Sequence, residues 1–183
     1  MTFKLHHDPT HLYFVTATLL GWQQLFTQPD YARIVLDSLD WHRRNNRWDL
    51  YAYVVMPNHL HAIIKPCEGR TISSVLQSFG SFTAHSILAR LRADQNNDLL
   101  AFFAQHRERD ASERHQIWQP IQAKNVTSLR FLREKLEYIH NNPLAKKWHL
   151  AGDRADYIYS SAGFYDRGLV PVIEVDDIRE WFE

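Results

Sequence analysis

Residues 48–66 read WDLYAYVVMPNHLHAIIKP. Aromatic and β-branched residues fill both halves of the stretch, which is typical of β-strands. The dipeptide Pro57-Asn58 between the two halves is a turn signal. The stretch therefore predicts a β-hairpin whose first strand ends at Met56 and whose second strand begins at His59.

The segments on either side of the hairpin show alternating strand and helix patterns. They predict a strand at 11–19, helices at 29–46, 71–94 and 98–109, a strand at 116–126, and a helix that Ser128 caps and Asn142-Pro143 ends. The charged run 107–114 predicts a solvated loop. This order is the ferredoxin-like β-α-β-β-α-β arrangement of the α+β class. It predicts an antiparallel sheet with helices on one face and the other face available for a site.

Length and composition predict one globular domain. The chain has 183 residues, and 45% of them are hydrophobic, which suits a single core spanning 1–183. The last helix is an addition to the ferredoxin-like core, and residues 145–183 are expected to wrap the domain as a C-terminal tail. The single cysteine, Cys67, excludes an internal disulfide.

Charge and hydropathy limit the functions that the chain can have. Lysines and arginines together number 21, as do aspartates and glutamates. No overall positive field therefore indicates a nucleic-acid partner, and such a partner would need a local patch. No stretch of the sequence resembles a membrane span and residues 1–10 lack an apolar signal core, so we expect a cytoplasmic protein without a membrane partner.

His59 and His61 lie two residues apart in the second predicted strand of the hairpin. Side chains alternate between the faces of a strand, so both imidazoles project to one face, opposite Leu60, Ala62 and Ile64. Such a pair can hold one metal ion. It also occurs in proteins as a packed, hydrogen-bonded pair, and the motif alone leaves both interpretations open.

Tyr138 and Asn142 lie four residues apart near the end of the last predicted helix. This spacing places the two side chains on the same helix face. A tyrosine at a helix end is ordinarily a packing or surface residue, so Tyr138 gains interest only in combination with the histidine pair.

The string VVMPNHLHAIIKP at 54–66, followed by YIHNNP at 138–143, resembles the HUH superfamily of single-tyrosine transposases. Within that superfamily it resembles the REP-associated tyrosine transposases. Three further pieces are similar to that family in the same order, namely SFTAHSI at 81–87, IWQ at 117–119 and DYIYSSAGFY at 156–165. The resemblance therefore covers most of the chain.

The resemblance implies a ferredoxin-like fold and a DNA-cleaving site. By this likeness His59 and His61 bind a divalent cation, Mg²⁺ or Mn²⁺, while Tyr138 attacks DNA and keeps a 5′-phosphotyrosine. Asn142 stands where many relatives carry Gln as a further ligand. The implied substrate is single-stranded or hairpin DNA, with REP-type palindromes as the genomic target. The implied setting is the nucleoid of a bacterial cytoplasm, with the protein acting as a monomer or a homodimer.

Binding of single-stranded DNA requires cations along a groove and aromatic faces for unpaired bases. The candidate DNA-binding residues are Arg43 and Arg44 after the first helix, Arg130 and Arg133 on the tyrosine helix, and Lys146 and Lys147 beyond it.

Two other functions stay open at this point. The first is a metallohydrolase built on the His59–His61 pair, although the chain has no HExxH motif. The second is a DNA-binding module on the same fold that no longer cleaves DNA. The intact His59, His61 and Tyr138 argue against the binding module, and the lack of HExxH and the short chain argue against the metallohydrolase.

Overall fold

The computed structural model describes residues 12–105 and 116–182. The loop predicted at 107–114 lies outside these residues. Within them the structure is a four-stranded sheet with helices on both faces.

The four strands pair only in antiparallel fashion within the described chain. They are β1 (Tyr13–Thr18), β2 (Trp48–Met56), β3 (His59–Pro66) and β4 (Gln122–Asn125). Their order across the sheet is β2-β3-β1-β4, which is the ferredoxin-like order and confirms the predicted fold class. The hairpin of β2 and β3 has the bounds that its sequence predicted. Its turn is held by the loop after β1, because Leu19 and Phe26 donate backbone hydrogen bonds to the carbonyls of Asn58 and Pro57.

The described residues form five α-helices. They are α1 (Pro29–Arg44), α2 (Ile72–Ala93), α3 (Asn97–Gln105), α4 (Leu129–Asn141) and α5 (Ala162–Arg167). Short side chains cap α2 and α4, since Thr71 accepts a hydrogen bond from the Ser74 amide and Ser128, as predicted, accepts one from the Phe131 amide. The helix α4 ends where Pro143 follows it, and residues Asn142–Leu144 continue as one 3-10 turn.

The larger core lies between the sheet and the pair of helices α1 and α2. It takes alternate residues of the strands, among them Val15, Tyr53, Leu60 and Ile64, which are at most 2% exposed. The period of two along each strand therefore assigns one full face of the sheet to packing.

The opposite face carries a smaller core under α4 and the tail. Val54, Ile63, Leu132 and Ile139 are buried there. The prediction of helices on one face is thus wrong in part, because α4 uses its apolar stripe to cover the second face. The end of this face nearest His59 is polar and lies beyond this smaller core.

The strand predicted at 116–126 is shorter in the structure. Trp118 forms one isolated bridge with Leu19, and regular pairing with β1 begins at Gln122. Pro120 stands between the two, and a proline has no N–H to donate to a strand ladder.

The tail packs along β2. Val55 and Ser161 donate backbone hydrogen bonds to the carbonyls of Tyr159 and Tyr53, respectively, and the backbone N–H of Leu50 donates to the Asp176 carboxylate. These parts of the segment thus lie along the β2 edge of the sheet. No helix in the described residues is both long enough and apolar enough to span a membrane.

Candidate functional site

His59 and His61 lie on the α4 side of the sheet, at the start of β3. Their ring centroids are 4.8 Å apart, and the side chains are 8% and 5% exposed. Leu60, Ala62 and Ile64 point into the larger core, as the alternation along the strand predicted.

Each imidazole has a hydrogen-bond partner on Nδ1. His59 Nδ1 lies 2.7 Å from the side-chain oxygen of Asn58. Because an amide oxygen only accepts, this contact places the proton of neutral His59 on Nδ1 and leaves the lone pair on Nε2. His61 Nδ1 lies 2.9 Å from Oγ1 of Thr16, its cross-strand neighbour on β1. Partners of this kind fix ring orientation, as they do for histidines that bind metals.

Both histidines are neutral at neutral pH. Burial lowers the pKa of His59 to about 4, and the nearby Lys147 acts in the same direction. Burial lowers the pKa of His61 to about 3, with His59 and Lys135 as further causes. Neutral imidazole is the form that donates a lone pair to a cation.

Tyr138 lies beside this pair, on the last turns of α4. Its ring centroid is 5.1 Å from that of His61 and 6.0 Å from that of Phe14 on β1. The side chain is 48% exposed, which is unusual for a tyrosine that touches a buried pair. The amphipathic pattern of α4 explains the position, because Leu132 and Ile139 anchor the helix and leave the Tyr138 face beside the polar end of the sheet.

Asn142 completes the group. It is buried in the 3-10 turn after α4, and it lines the same groove as His59. The helix end that Pro143 imposes therefore places an amide next to the histidine pair.

His59, Tyr138 and Asn142 line one open groove of about 420 Å³. Its walls come from the end of α4, the turn that follows it and the start of β3, and its lining residues are His59, Glu134, Glu137, Tyr138, Asn141, Asn142, Ala145 and Lys147. Both glutamates are paired, Glu134 with Arg130 and Glu137 with Arg154.

The possible donor set combines two borderline imidazole nitrogens with one hard amide oxygen. Within the described residues, no cluster of three or more His, Cys, Asp or Glu side chains is able to hold a metal ion. Two neutral imidazoles and the Asn142 amide oxygen are the donors on hand. Mg²⁺ and Mn²⁺ commonly take few protein ligands and fill the rest with water and substrate phosphate, so these residues fit such an ion.

The predicted DNA-binding residues separate into two groups. Lys147 lines the groove, and Lys146 is exposed beside it. Arg130 is exposed two turns before Tyr138 and is paired with Glu134, while the Arg133 guanidinium lies 4.8 Å from the ring of Phe182 in the tail. Contact of any of these residues with DNA stays a prediction.

Arg43 and Arg44 lie away from the groove, at the end of α1. Arg43 donates two hydrogen bonds to Asp176, which also binds the Leu50 amide opposite Ile64. Since Ile64 is five residues from His59 along β3, this cluster lies about 17 Å from the site along the strand. Arg43 fastens the tail to α1, and Arg44 pairs with Asp40.

The site also contains residues that the sequence did not single out. Thr16 and Phe14 come from β1, and Phe14 stacks on His61 with a centroid distance of 5.2 Å. Lys135 places its ammonium 5.3 Å from the Tyr138 ring. The strand pairing of β1 with β3 brings the first two here, and such pairing has no short-range signal in the sequence. Lys135 precedes Tyr138 by three residues, a spacing that already implies contact on a helix.

Comparison with known proteins identifies the fold. No family model matches the sequence, and no curated protein matches it. Among solved structures, the chain is similar to a REP-associated tyrosine transposase bound to a REP hairpin. The TM-score is 0.62 and the sequence identity is 20%, and the match covers 97% of this chain and 93% of that one.

The fold and the site together define a ferredoxin-like α+β protein with a histidine pair on β3 and a tyrosine on an added helix. This is the fold of the REP-associated tyrosine transposase, over nearly the whole of both chains. The resemblance that the motifs indicated is therefore confirmed at the level of the fold.

Proposed function

We propose that the protein is a metal-dependent enzyme that cleaves and rejoins single-stranded or hairpin DNA, with Tyr138 as its nucleophile. One observation carries this proposal: the exposed Tyr138 ring lies 5.1 Å from the buried His61 ring, in a groove that His59 and Asn142 also line. A tyrosine with a packing role alone would have no need of two oriented, neutral imidazoles beside it.

The residues divide the chemistry among them. Tyr138 attacks phosphorus, forms a phosphotyrosine ester with the 5′ end of the downstream strand and releases the upstream strand, whose 3′-oxygen leaves as a hydroxyl while the phenol loses its proton. The reverse attack by a 3′-hydroxyl rejoins a strand without ATP, because the ester replaces the broken bond. His59, His61 and Asn142 would hold a divalent ion, which when bound offsets the charge of the phosphate and orients it for in-line attack. Asn58 and Thr16 keep the two imidazoles turned toward that position.

The groove is open, as a polymeric substrate requires. Lys147 contributes a positive charge at the His59 end, where Glu137 is already neutralised by Arg154. We infer hairpin DNA, including REP-type palindromes, as the substrate, because the solved structure with this fold holds a REP hairpin. A phosphodiester strand that enters the groove meets the tyrosine and the proposed cation site together.

The test is covalent capture of DNA. Wild-type protein is incubated with a labelled DNA hairpin that has single-stranded flanks, in the presence of Mn²⁺, and is then analysed under denaturing conditions. We expect a labelled protein band from wild type, no band from Tyr138→Phe, and no band from wild type in excess EDTA. The released strand should carry a free 3′-hydroxyl.

Tyr159→Phe is the matched control. It removes one hydroxyl from a half-buried tyrosine of the tail that packs against the opposite core, so it should leave the adduct unchanged. DNA hydrolysis without an adduct, persisting in Tyr138→Phe, would replace the proposal with a metallohydrolase. Binding without cleavage by every protein would replace it with a DNA-binding module.

A further inference from the structure

Lys135 occupies an unusual environment for a lysine. Its ammonium lies 4.9 Å from the ring of Phe14, 5.1 Å from that of Phe131 and 5.3 Å from that of Tyr138. The side chain is half-buried, and no carboxylate pairs with it among the residues that the structure describes. The aromatic rings attract the ammonium without neutralising it, so its charge is still available to an anion supplied from outside.

The arginines near the groove are already neutralised. Arg130 and Arg154 pair with Glu134 and Glu137, the two acidic residues of the groove. The positive charge that stays available around Tyr138 therefore comes from lysines. Lys147 stands on the His59 side of the tyrosine, and Lys135 stands on the Phe14 side.

Lys124 continues this line away from the groove. It is exposed on the edge strand β4, directly opposite Phe14 in the ladder with β1. Side chains of directly paired residues share a face and have Cβ atoms about 5 Å apart. Lys124 and Lys135 thus flank the same phenyl ring from two different elements.

We propose that Lys135 and Lys124 bind successive backbone phosphates of the DNA strand on the Phe14 side of Tyr138. This inference rests on the proposed function, and it gives the strand a direction across the site. The strand passes Lys147 and the histidine pair, crosses Tyr138, and leaves over Phe14 toward the β4 edge. Phe131 is partly exposed beside Lys135 and offers aromatic surface to an unpaired nucleotide, whereas Phe14 is buried and only positions the lysines.

The experiment measures how binding depends on salt. Lys135→Met and Lys124→Met are made in a Tyr138→Phe background and titrated against a fluorescein-labelled DNA hairpin with single-stranded flanks. Anisotropy is read in EDTA over a series of KCl concentrations. Each lost phosphate contact should reduce the slope of log K against log salt by about 0.7 for single-stranded DNA. Lys135→Arg keeps the charge and should keep the parental slope.

Lys65→Met is the matched control. Lys65 lies on the same strand face as His61, four residues or about 13 Å farther along β3, and its ammonium also lies over an aromatic ring, 5.6 Å from Trp181. It should leave the slope unchanged. Thermal unfolding of each variant confirms that the fold persists, and a loss of affinity with an unaltered slope would assign Lys135 and Lys124 to structure and overturn the inference.

The two proposals fail in different ways. An adduct from wild type together with parental slopes in both lysine variants refutes the strand path and leaves the cleavage proposal intact. Reduced slopes without any adduct refute cleavage and support the strand path. Absence of salt-dependent binding by the parental protein overturns the strand path, and with no adduct from wild type it overturns both proposals.

Discussion

The two faces of β3 differ in chemistry although both are shielded from solvent. Leu60, Ala62 and Ile64 meet α1 and α2, and each is 1% exposed. His59 and His61 alternate with them along the strand and are also buried. They face the end of α4, where the polar side chains of Tyr138 and Asn142 lie. Burial alone therefore does not distinguish residues that pack from residues proposed to function. The helix that covers each face distinguishes them.

This difference predicts opposite outcomes for mutations one residue apart. A change on the α1 and α2 face should reduce the free energy of unfolding and leave the chemistry of the remaining folded protein intact. A change on the α4 face should reduce the rate of DNA cleavage and leave the free energy of unfolding near that of wild type. Four substitutions test the contrast, in order of expected effect.

Leu60→Ala removes a buried side chain from the larger core. Truncation of a core leucine typically costs about 2–5 kcal/mol, and we expect this loss in the free energy of unfolding measured by urea denaturation. DNA adduct formation at a temperature where the variant is folded should stay near wild type. A loss of adduct without a loss of stability would remove the contrast between the faces.

His61→Ala acts on the other side of the same strand. Even residues that only orient a metal ligand change affinity or activity by about 10–100-fold, so loss of an imidazole ligand should reduce the rate of adduct formation by about 100-fold or more. Isothermal titration with Mn²⁺ should show the matching loss of affinity. Retention of both would mean that the pair is a packed pair without a metal.

Much of the fold follows from local signals in the sequence. The hairpin bounds follow from β-formers on each side of Pro57-Asn58, and the ends of α2 and α4 follow from Thr71, Ser128 and Pro143. The length of β4 does not follow from composition, because Trp118 meets Leu19 only through a single bridge before Pro120. Placement of α4 over the second face depends on tertiary packing.

The sequence predicts only those contacts of the candidate site that join residues close together along the chain. The spacing of His59 to His61 and of Tyr138 to Asn142 assigns each pair to one face of one element. Thr16 lies beside His61 because β1 pairs with β3 in this register, and the register is set by the whole sheet. Arg43 was predicted to bind DNA, but in the structure it holds Asp176 of the tail. This contact joins residues more than 130 positions apart, so no local signal could show it.

Thr16→Val tests whether the support of the histidines belongs to the functional face. The substitution keeps the side-chain shape and removes the hydroxyl 2.9 Å from His61 Nδ1. We expect a loss of about tenfold in Mn²⁺ affinity and adduct rate, at the lower end of the range for residues that orient ligands. Thr18→Val on the same strand face, opposite His59, is the control. Equal effects of the two changes would assign Thr16 to packing.

His42→Gln tests a buried histidine that belongs to the packing face. His42 stacks on Trp48, with ring centroids 4.5 Å apart, and its Nδ1 donates to the Ser38 carbonyl at 2.7 Å. Burial lowers the pKa of His42 below its ordinary value of 6.5. Below pH 6.5 the unfolded chain therefore binds a proton that the folded protein does not bind. The free energy of unfolding falls as the pH falls, by at most about 1.4 kcal/mol per pH unit for one histidine.

The glutamine variant should flatten that acid-side slope between pH 6.5 and 5, measured by urea denaturation at each pH. Part of the slope should persist, because burial also lowers the pKa values of His59, His61 and His140. His85→Gln, which changes a histidine exposed on α2, is the control. Parallel slopes in wild type and His42→Gln would contradict the linkage. A flattened slope with an unchanged adduct rate would show that a buried neutral histidine on this face serves packing alone.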